Sequence, residues 1–215
     1  MSSSKTALMD RGFGILCRFI VQSPTPSHFL TLQSWLEGDA IAVCGLPMLR
    51  QVIVALVEYA ESLELPIDPE SEAAENLPIA VSVLSAIREH YPDASETYVA
   101  EVFVRRRLPE PAGALCVAEL AVARFPSDWA CLCGLAGALR DVGRLDEAFS
   151  YAERALAAND ADGAPLYDAA RAYLEAGRPA DGVRVFERLL KLFPDYPDAA
   201  RVLGLAQHAL GSSTP

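Results

Sequence analysis

The stretch DVGRLDEA at residues 141–148 decides the fold, because it holds the end of one helix and the start of the next. Gly143 can take the left-handed backbone conformation that ends a helix. Asp146 and Glu147 suit the positively polarised first turn of the helix that follows. The stretch therefore predicts a short joint between two consecutive helices.

The sequence around this joint repeats with a period of 34 residues, so that Gly177 follows Gly143 by one period. The same step superposes Leu132 on Leu166, Leu139 on Tyr173, Ala148 on Gly182, Ala155 on Leu189 and Asp160 on Pro194. One period before Ala148, Ala155 and Asp160, the same columns hold Ala114, Ala121 and Pro126. One period earlier again, they hold Ala80, Ile87 and Pro92. Several columns kept in register without insertion indicate a helical repeat rather than a generic helical bundle.

This pattern resembles the tetratricopeptide repeat, whose unit is two antiparallel helices in 34 residues, with small residues where the helices touch and a proline after the second helix. The resemblance covers roughly residues 95–210 and implies an all-α fold: a right-handed superhelical stack of helix-turn-helix repeats behind an N-terminal helical cap. We expect an N-terminal region at residues 1–70 and the repeats at 71–215. The repeats divide into a half-unit at 77–94, units at 95–128, 129–162 and 163–196, and an end helix at 197–210 that covers the open end of the stack, with a frayed tail at 211–215.

The side chains of each unit support this interpretation. Ala148, Ala152 and Ala155 form a stripe of small residues that lets two helices approach closely, and Gly182, Phe186 and Leu189 take the same places one unit later. Prolines 92, 126 and 194 cannot continue a helix and mark where units stop.

Some columns depart from the repeat pattern. The tryptophan usual near the start of the first helix is replaced by Tyr98, Leu132 and Leu166. Pro109 stands where the first joint would have glycine, and Asp160 stands where the second full unit would have its last proline. These changes weaken single columns and leave the period intact.

The residues before 77 do not share the period. We expect helices at 6–21, at 27–37 with Ser27 as its cap, and at 47–63 with Pro47 at the first helical position. The acid-rich stretch 64–75 is predicted to be a long loop. An exposed apolar face on the first helix would suit a cap or a contact between two copies of the chain.

Composition limits the partners. The net charge of -11 and the pI near 4.7 oppose a phosphate backbone, so we expect no nucleic acid partner. No apolar run approaches the roughly 18 residues needed to span a bilayer. The chain has an odd number of cysteines, and they are not spaced as in a disulfide framework, which favours a reducing compartment. They are Cys17, Cys44, Cys116, Cys131 and Cys133. We expect a soluble cytoplasmic protein whose cysteines serve as small apolar fillers.

The sequence contains no constellation typical of catalysis, so we expect no enzyme, no metal and no cofactor. His28, His90 and His208 are isolated from one another. Cys131 and Cys133 are two apart on a predicted helix and point to different faces, so core packing explains them better than a metal site. Asp160, Asp162 and Asp168 fall near a loop and a helix start, where capping explains them.

The resemblance also implies a binding surface, because the first helices of successive tetratricopeptide units line a concave groove for an extended peptide or a partner helix. Arginines on this face could grip carboxylates of a partner, and Cys133, Gly134 and Gly137 would leave room for a side chain between Phe103 and Tyr167. The predicted inner face is Val99, Phe103, Arg106, Arg107, Cys133, Gly137, Arg140, Tyr167, Arg171, Leu174 and Arg201.

Two functions are compatible with these residues. The first is a protein–protein interaction module, a chaperone or adaptor that holds a partner segment in the groove. The second is a structural assembly subunit that acts through its outer or N-terminal surface, including a homodimer through the N-terminal region.

A more specific resemblance concerns the type III secretion chaperones of the translocator class, which are small, acidic and cytoplasmic, with three such repeats behind an N-terminal dimerisation helix. It rests on Gly134-Leu135-Ala136 with Ala138-Leu139, and on Pro165-Leu166-Tyr167 leading to Ala170 and Tyr173.

Overall fold

The computed structural model describes residues 3–36, 40–159 and 163–212, and over these residues the chain forms α-helices and no strand. The all-α class predicted from the sequence is confirmed. No helix within the described ranges is both long and apolar enough to cross a membrane. The helices are α1 (Ser3–Gln22), α2 (Pro26–Trp35), α3 (Ala40–Ser62), α4 (Glu72–His90), α5 (Ser95–Arg105), α6 (Pro111–Arg124), α7 (Trp129–Asp141), α8 (Leu145–Ala158), α9 (Ala164–Glu175), α10 (Pro179–Leu192) and α11 (Ala199–Ser212).

The chain divides into two compact units, Met1–Val117 and Ala118–Pro215, and the division falls within α6. In the first unit, α3 packs against α1, α4 and α5, while α2 packs against α1 and α4. In the second unit, α7 packs against α8, and α9 packs against α7, α8 and α10. The division at residue 70 that we expected from the sequence stays a prediction.

The turns between repeats show the 34-residue period in the backbone itself. Four helices end at Tyr91, Phe125, Asn159 and Phe193, and each of these residues donates its N–H to the carbonyl oxygen four residues earlier, at 2.8–2.9 Å. At three of the four positions a proline follows, which forces the residue before it out of the helical region. Asn159 also leaves the helical region, with an extended backbone (φ -146°), although no proline follows it. A following proline is therefore not required for a helix to end at this position of the repeat.

The joints inside the units match the prediction made from DVGRLDEA. Gly143 and Gly177 have positive φ angles of 80° and 71°. At the first joint, the N–H of Gly143 donates to the carbonyl of Arg140, and the N–H of Arg144 donates to that of Leu139, both at 2.9 Å. These two bonds satisfy carbonyl groups that the end of α7 would otherwise leave open. The joint after α9 repeats them at 3.1 and 2.8 Å.

The small residues lie where the repeat pattern places them. Ala148, Ala152 and Ala155 are at most 2% exposed. Gly182 lies so close to α9 that no side chain would fit: a Cβ added there would be 2.6 Å from Leu174 Cδ2 and 3.0 Å from the backbone oxygen of Ala170. The predicted stripe is confirmed, and it explains how α9 and α10 pack with almost no space between them.

The front helices differ from the sequence prediction in their starts. α2 begins at Pro26, so its cap position is Thr25 and not Ser27, because a proline is preorganised for the first helical position. The Thr25 hydroxyl faces the ring of His28 at 3.1 Å instead of capping the backbone. α3 begins before the predicted residue 47, but it is broken at Gly45 (φ 69°), so Pro47 still lies in the first turn after the break.

The acid-rich loop is shorter than expected. α4 begins at Glu72, so the predicted loop loses its last four residues to the helix. Glu72 and Glu75 lie in the first turn of α4, where carboxylates are favoured by the helix dipole. At the other end of the chain, α11 continues to Ser212, two residues into the predicted tail.

A buried carboxylate, which the sequence did not indicate, holds α5 to α4. Glu101 has no exposed side-chain surface, and it accepts hydrogen bonds from the Ser85 hydroxyl at 2.7 Å, from Arg88 Nε at 2.6 Å and from Arg105 Nε at 2.7 Å. Two partly buried arginines therefore balance one buried carboxylate, which is the arrangement that makes such burial tolerable.

Two glycine-to-alanine substitutions test the role of the joint. Nothing lies within 4 Å of a Cβ at Gly143 or at Gly204, but only Gly143 has a positive φ. We expect Gly143→Ala to lower the free energy of unfolding by about 1 kcal/mol through backbone strain. Gly204→Ala, within exposed helix α11, should raise it by about 0.5 kcal/mol. Urea unfolding followed by circular dichroism measures both, and equal effects would contradict a conformational role for Gly143.

Candidate interaction site

The second unit contains a cavity of about 520 Å³ between α9 and the joint that links α7 to α8. One side is the stripe at positions 168, 171, 172, 175 and 176, which share a face of α9 by their spacing. The other side comes from the end of α7 and the start of α8. The lining residues are Arg140, Asp141, Gly143, Leu145, Asp168, Arg171, Ala172, Glu175 and Ala176.

Arg140 is the most buried cation of this cavity, with 27% of its side chain exposed. Its Nε and Nη2 donate to Oδ1 of Asp141 at 3.2 and 3.0 Å, and its Nη1 lies 3.0 Å from Oδ2 of Asp168. Burial by itself lowers the pKa of Arg140, but the charges of Asp141 and Asp168 outweigh it and the pKa is raised. Arg140 is therefore a permanent cation held between two carboxylates.

A second ion pair lies along α9. Nη2 of Arg171 lies 2.9 Å from Oε1 of Glu175, one helical turn further on, and both side chains are more than half exposed. Leu145 contributes an aliphatic wall, and Ala172 and Ala176 keep the α9 side shallow. The cavity thus combines charged groups with short apolar surfaces.

A polar cluster next to the cavity fixes the joint against α9. The Tyr173 hydroxyl donates to Oδ1 of Asp146 at 2.9 Å, and Arg178 donates to both oxygens of Asp146 at 3.0 and 3.2 Å. The Arg178 guanidinium also lies over the Tyr173 ring, 4.7 Å from its centroid. Because Asp146 follows Leu145 directly, this cluster holds one wall of the cavity in place.

Arg140 and Arg171 line this cavity, and the other groove residues predicted in the second unit have different surroundings. Tyr167 stacks on Tyr196 with ring centroids 5.3 Å apart. Leu174 packs into the contact with Gly182, and Arg201 pairs with Asp198 at 3.1 Å on exposed α11. Cys133 and Gly137 lie half-buried on α7.

The groove residues predicted in the first unit lie on α5 and just beyond it. Val99, Phe103, Arg106 and Arg107 are all half-buried. The Arg107 guanidinium lies over the Phe103 ring, 4.8 Å from its centroid. These residues belong to a different compact unit from the cavity, and their part in a common groove stays a prediction.

The sequence assigned some cavity residues differently or missed them. We expected Asp168 to cap a helix, but it lies inside α9 and pairs with Arg140, while the cap position is Gly163. Asp160 and Asp162 lie outside the described residues. Glu175 was missed, although its four-residue spacing from Arg171 would have placed both on one face.

The four cysteines whose side chains the structure describes are free thiols that differ in exposure. Cys17 and Cys131 are buried, as expected for core residues, and burial raises the pKa of the Cys131 thiol to about 12. Cys133 is half-buried, but Cys116 is exposed on α6 and is not the apolar filler that we expected. The side chain of Cys44 lies outside the described part of the chain. No three potential metal ligands gather among the described residues.

Comparison with known proteins agrees with the helical repeat fold. Residues 167–214, which include α10, α11 and most of α9, match the family model described as "Tetratricopeptide repeat". These residues carry a tetratricopeptide repeat. Such repeats generally mediate protein–protein interaction and are typically not enzymes. No curated protein matches the chain in sequence.

Solved tetratricopeptide structures share the fold at low sequence identity. "Crystal structure of MamA" superposes with a TM-score of 0.54 at 17% identity and covers 69% of this chain and 87% of that one. A second, "Crystal structure of MamA protein", also has a TM-score of 0.54, at 15% identity, with 75% and 84% covered. TTC0263, described as a thermophilic TPR protein in Thermus thermophilus, has a TM-score of 0.51 at 17% identity, with 85% and 99% covered.

The polar cluster of Tyr173, Asp146 and Arg178 makes the titration of the Tyr173 hydroxyl a test of its contacts. The pKa of Tyr173 is raised to about 12, first by burial and then by the hydrogen bond to Asp146. Asp146→Asn removes the negative charge and leaves Arg178 over the ring, so the pKa of Tyr173 should fall. NMR of ¹³C-labelled tyrosine measures it, with Tyr173→Phe assigning the signal.

The same substitution has a pH-dependent effect on stability. Hydrogen bonds from Arg178 and then from Tyr173 lower the pKa of Asp146. A lowered folded-state pKa stabilises the fold above the unfolded-state value of about 3.9, and this contribution disappears as pH falls through the folded-state pKa. The difference in unfolding free energy between wild type and Asp146→Asn should therefore shrink below about pH 4. A difference that is independent of pH would contradict the assigned hydrogen bonds.

Proposed function

We propose that the protein is a chaperone or adaptor that binds a segment of a partner protein on the face formed by α7 and α9. The observation that carries this proposal is the cavity beside the joint, where two arginines and three acidic side chains surround a space of about 520 Å³. Clefts of this size with a few convergent polar groups are the usual form of a binding site. The tetratricopeptide fold supports a protein as the occupant.

The rest of the predicted groove extends this proposal. Cys133, Gly137 and Tyr167 would continue the binding face along α7 and α9, and Arg201 would continue it on α11. Val99, Phe103, Arg106 and Arg107 would serve the same partner from the first unit. A role as a translocator-class chaperone of type III secretion, and a cytoplasmic location, are compatible with this function and stay predictions.

Site-specific crosslinking tests the binding face. A photoreactive amino acid at exposed Ala176, which lines the cavity, should give a covalent adduct with one partner in cells that make the protein. The matched control is Ala158, an exposed alanine at the end of α8 that does not line the cavity. Mass spectrometry of the adduct identifies the partner.

The identified partner then allows a quantitative check. We expect Ala176→Trp, which fills the mouth of the cavity, to weaken binding by about tenfold or more, as truncating or blocking a central contact does. Ala158→Trp should leave the dissociation constant unchanged. If both positions crosslink equally, or if Ala176→Trp binds as well as wild type, the proposed face is wrong.

A second function, assembly through the N-terminal surface, is favoured by a separate apolar cavity in the first unit. It measures about 560 Å³ and lies between α1 and α3, with Cys17, Val21, Val54 and Ala55 among its lining residues. Val54 is about half exposed, and so are Ile15 and Phe19, which lie on α1 but do not line the cavity. We propose this surface as the contact in a homodimer.

Solution mass distinguishes this second function. If two copies join here, light scattering after gel filtration should give twice the 23.1 kDa chain mass for wild type and the single chain mass for Val54→Asp. Leu205→Asp, at an equally exposed position on α11, is the control and should not change the mass. Deleting α1 is a poorer test, since Leu16 and Ile20 belong to the core. A monomeric wild type would exclude this homodimer.

A further inference from the structure

The cavity between α1 and α3 in the first unit carries charges of both signs at its edge. Arg18 on α1 and Glu58 on α3 both line the cavity, and both are exposed. Within the ranges that the structure describes, no ion pair joins either of them to another residue. Arg50, the other cation of the lining, lies 2.7 Å from Glu96 of its own chain. Arg18 and Glu58 are therefore the charges that a partner would meet at this cavity.

An apolar pair stands next to the cavity on α1. Ile15 and Phe19 lie one helical turn apart, each is 48% exposed, and neither lines the cavity. The Phe19 ring stacks on the His28 ring of α2, with the centroids 5.2 Å apart and the planes at 18°. The Thr25 hydroxyl lies 3.1 Å from Nδ1 of His28. An exposed ring that is already ordered in this way loses little freedom when a partner buries it.

The cavity offers the apolar surface that such side chains need. It measures about 560 Å³, and Cys17, Val21, Val54 and Ala55 are among its lining residues. The apolar pair and the cavity are neighbours on one helix, so a two-fold axis near α1 brings the pair of each copy to the cavity of the other. Every contact at such an axis is made twice, and opposite charges on one surface then complement themselves. A second copy of the chain thus matches this surface in both shape and charge.

We propose that two copies join about a two-fold axis, with Ile15 and Phe19 of each entering the α1–α3 cavity of the other. In the same contact, Arg18 of each copy pairs with Glu58 of the other copy. This inference rests on the proposed homodimer, because it names the side chains that select a second copy at that surface. The apolar side chains supply the central contact, and the two ion pairs fix the orientation of the copies.

An exchange of charge between two variants tests the ion pairs. Arg18→Glu and Glu58→Arg each bring like charges together twice in a homodimer, so each should weaken self-association by about tenfold or more. An equimolar mixture of the two variants restores opposite charges at both contacts. We expect the mixture to have the dimer mass by light scattering after gel filtration. The double variant Arg18→Glu/Glu58→Arg should form a dimer by itself.

A matched control changes a different cation of the same cavity. Arg50→Glu makes the same change in net charge as Arg18→Glu, but Arg50 pairs with Glu96 within its own chain. With Glu58→Arg immobilised, Arg18→Glu should bind about tenfold more tightly than Arg50→Glu, because only Arg18→Glu restores both contacts. Circular dichroism confirms that the variants are folded.

A truncation tests the apolar contact. Phe19→Ala should weaken self-association by about tenfold or more, since the ring is lost from both halves of the interface. Leu30→Ala is the control, because Leu30 is 54% exposed on α2 and does not line the cavity. It should leave the dissociation constant of the dimer unchanged.

The outcomes separate this interface from the homodimer itself. If Val54→Asp dissociates the dimer but the two charge variants associate no better mixed than alone, the ion pair is wrong and the homodimer remains. Equal binding of Arg18→Glu and Arg50→Glu would also overturn the ion pair, because only net charge would then matter. Equal effects of Phe19→Ala and Leu30→Ala would overturn the apolar contact. A monomeric wild type would remove the homodimer and this inference together.

Discussion

The left-handed glycine at the joint of each hairpin in the second unit is the constraint on which the rest of that unit depends. Gly143 and Gly177 reverse the chain within three residues, because a positive φ lets the last helical carbonyls accept hydrogen bonds from the turn itself. With the turn so short, α8 and α10 must run back along the preceding helix. Their contact surfaces consequently carry alanine and glycine, and the cavity opens beside the first of these joints.

The cavity shows why the charge that a surface presents to a partner cannot be predicted from its arginines alone. Arginines on one helical face suggest a positive wall, yet Arg140, Arg171 and Arg201 each lie beside a carboxylate in the structure. An ion pair within a repeat changes what a partner meets, since a balanced arginine offers little further attraction. In the pair of Arg140 and Asp168 the arginine is 27% exposed and the carboxylate 53%, whereas both members of the other two pairs are more than half exposed.

The first unit is organised by different means. Its core is built from long aliphatic and aromatic side chains of α1 to α4, with Phe29 and Tyr59 in edge-to-face contact at 4.9 Å. α5 joins this core through Ala100 and Val104, and Glu101 between them ties it to α4. A different neighbour for α5 would remove the hydrogen bonds from Ser85 and Arg88 and leave the buried carboxylate with only Arg105 of its own helix, which would cost free energy.

The sequence by itself determined the helical repeat, its register and its joints. These features are local: the positive φ of Gly143, the small stripe at Ala148 and the helix ends at residues 91, 125 and 193, each followed by proline, depend on residues close in the chain. Helix starts in the front third were less predictable, since Pro26 competed with Ser27 for the first turn of α2.

Only the tertiary structure decided which charges meet. Asp168 reaches Arg140 across 28 residues, and Arg178 reaches Asp146 across 32, and neither pairing has a spacing that one helix could reveal. Glu101 looks like any other helical glutamate until the packing of α4 and α5 buries it. Long-range electrostatics depends on where helices pack against each other, and a linear sequence pattern does not contain that information.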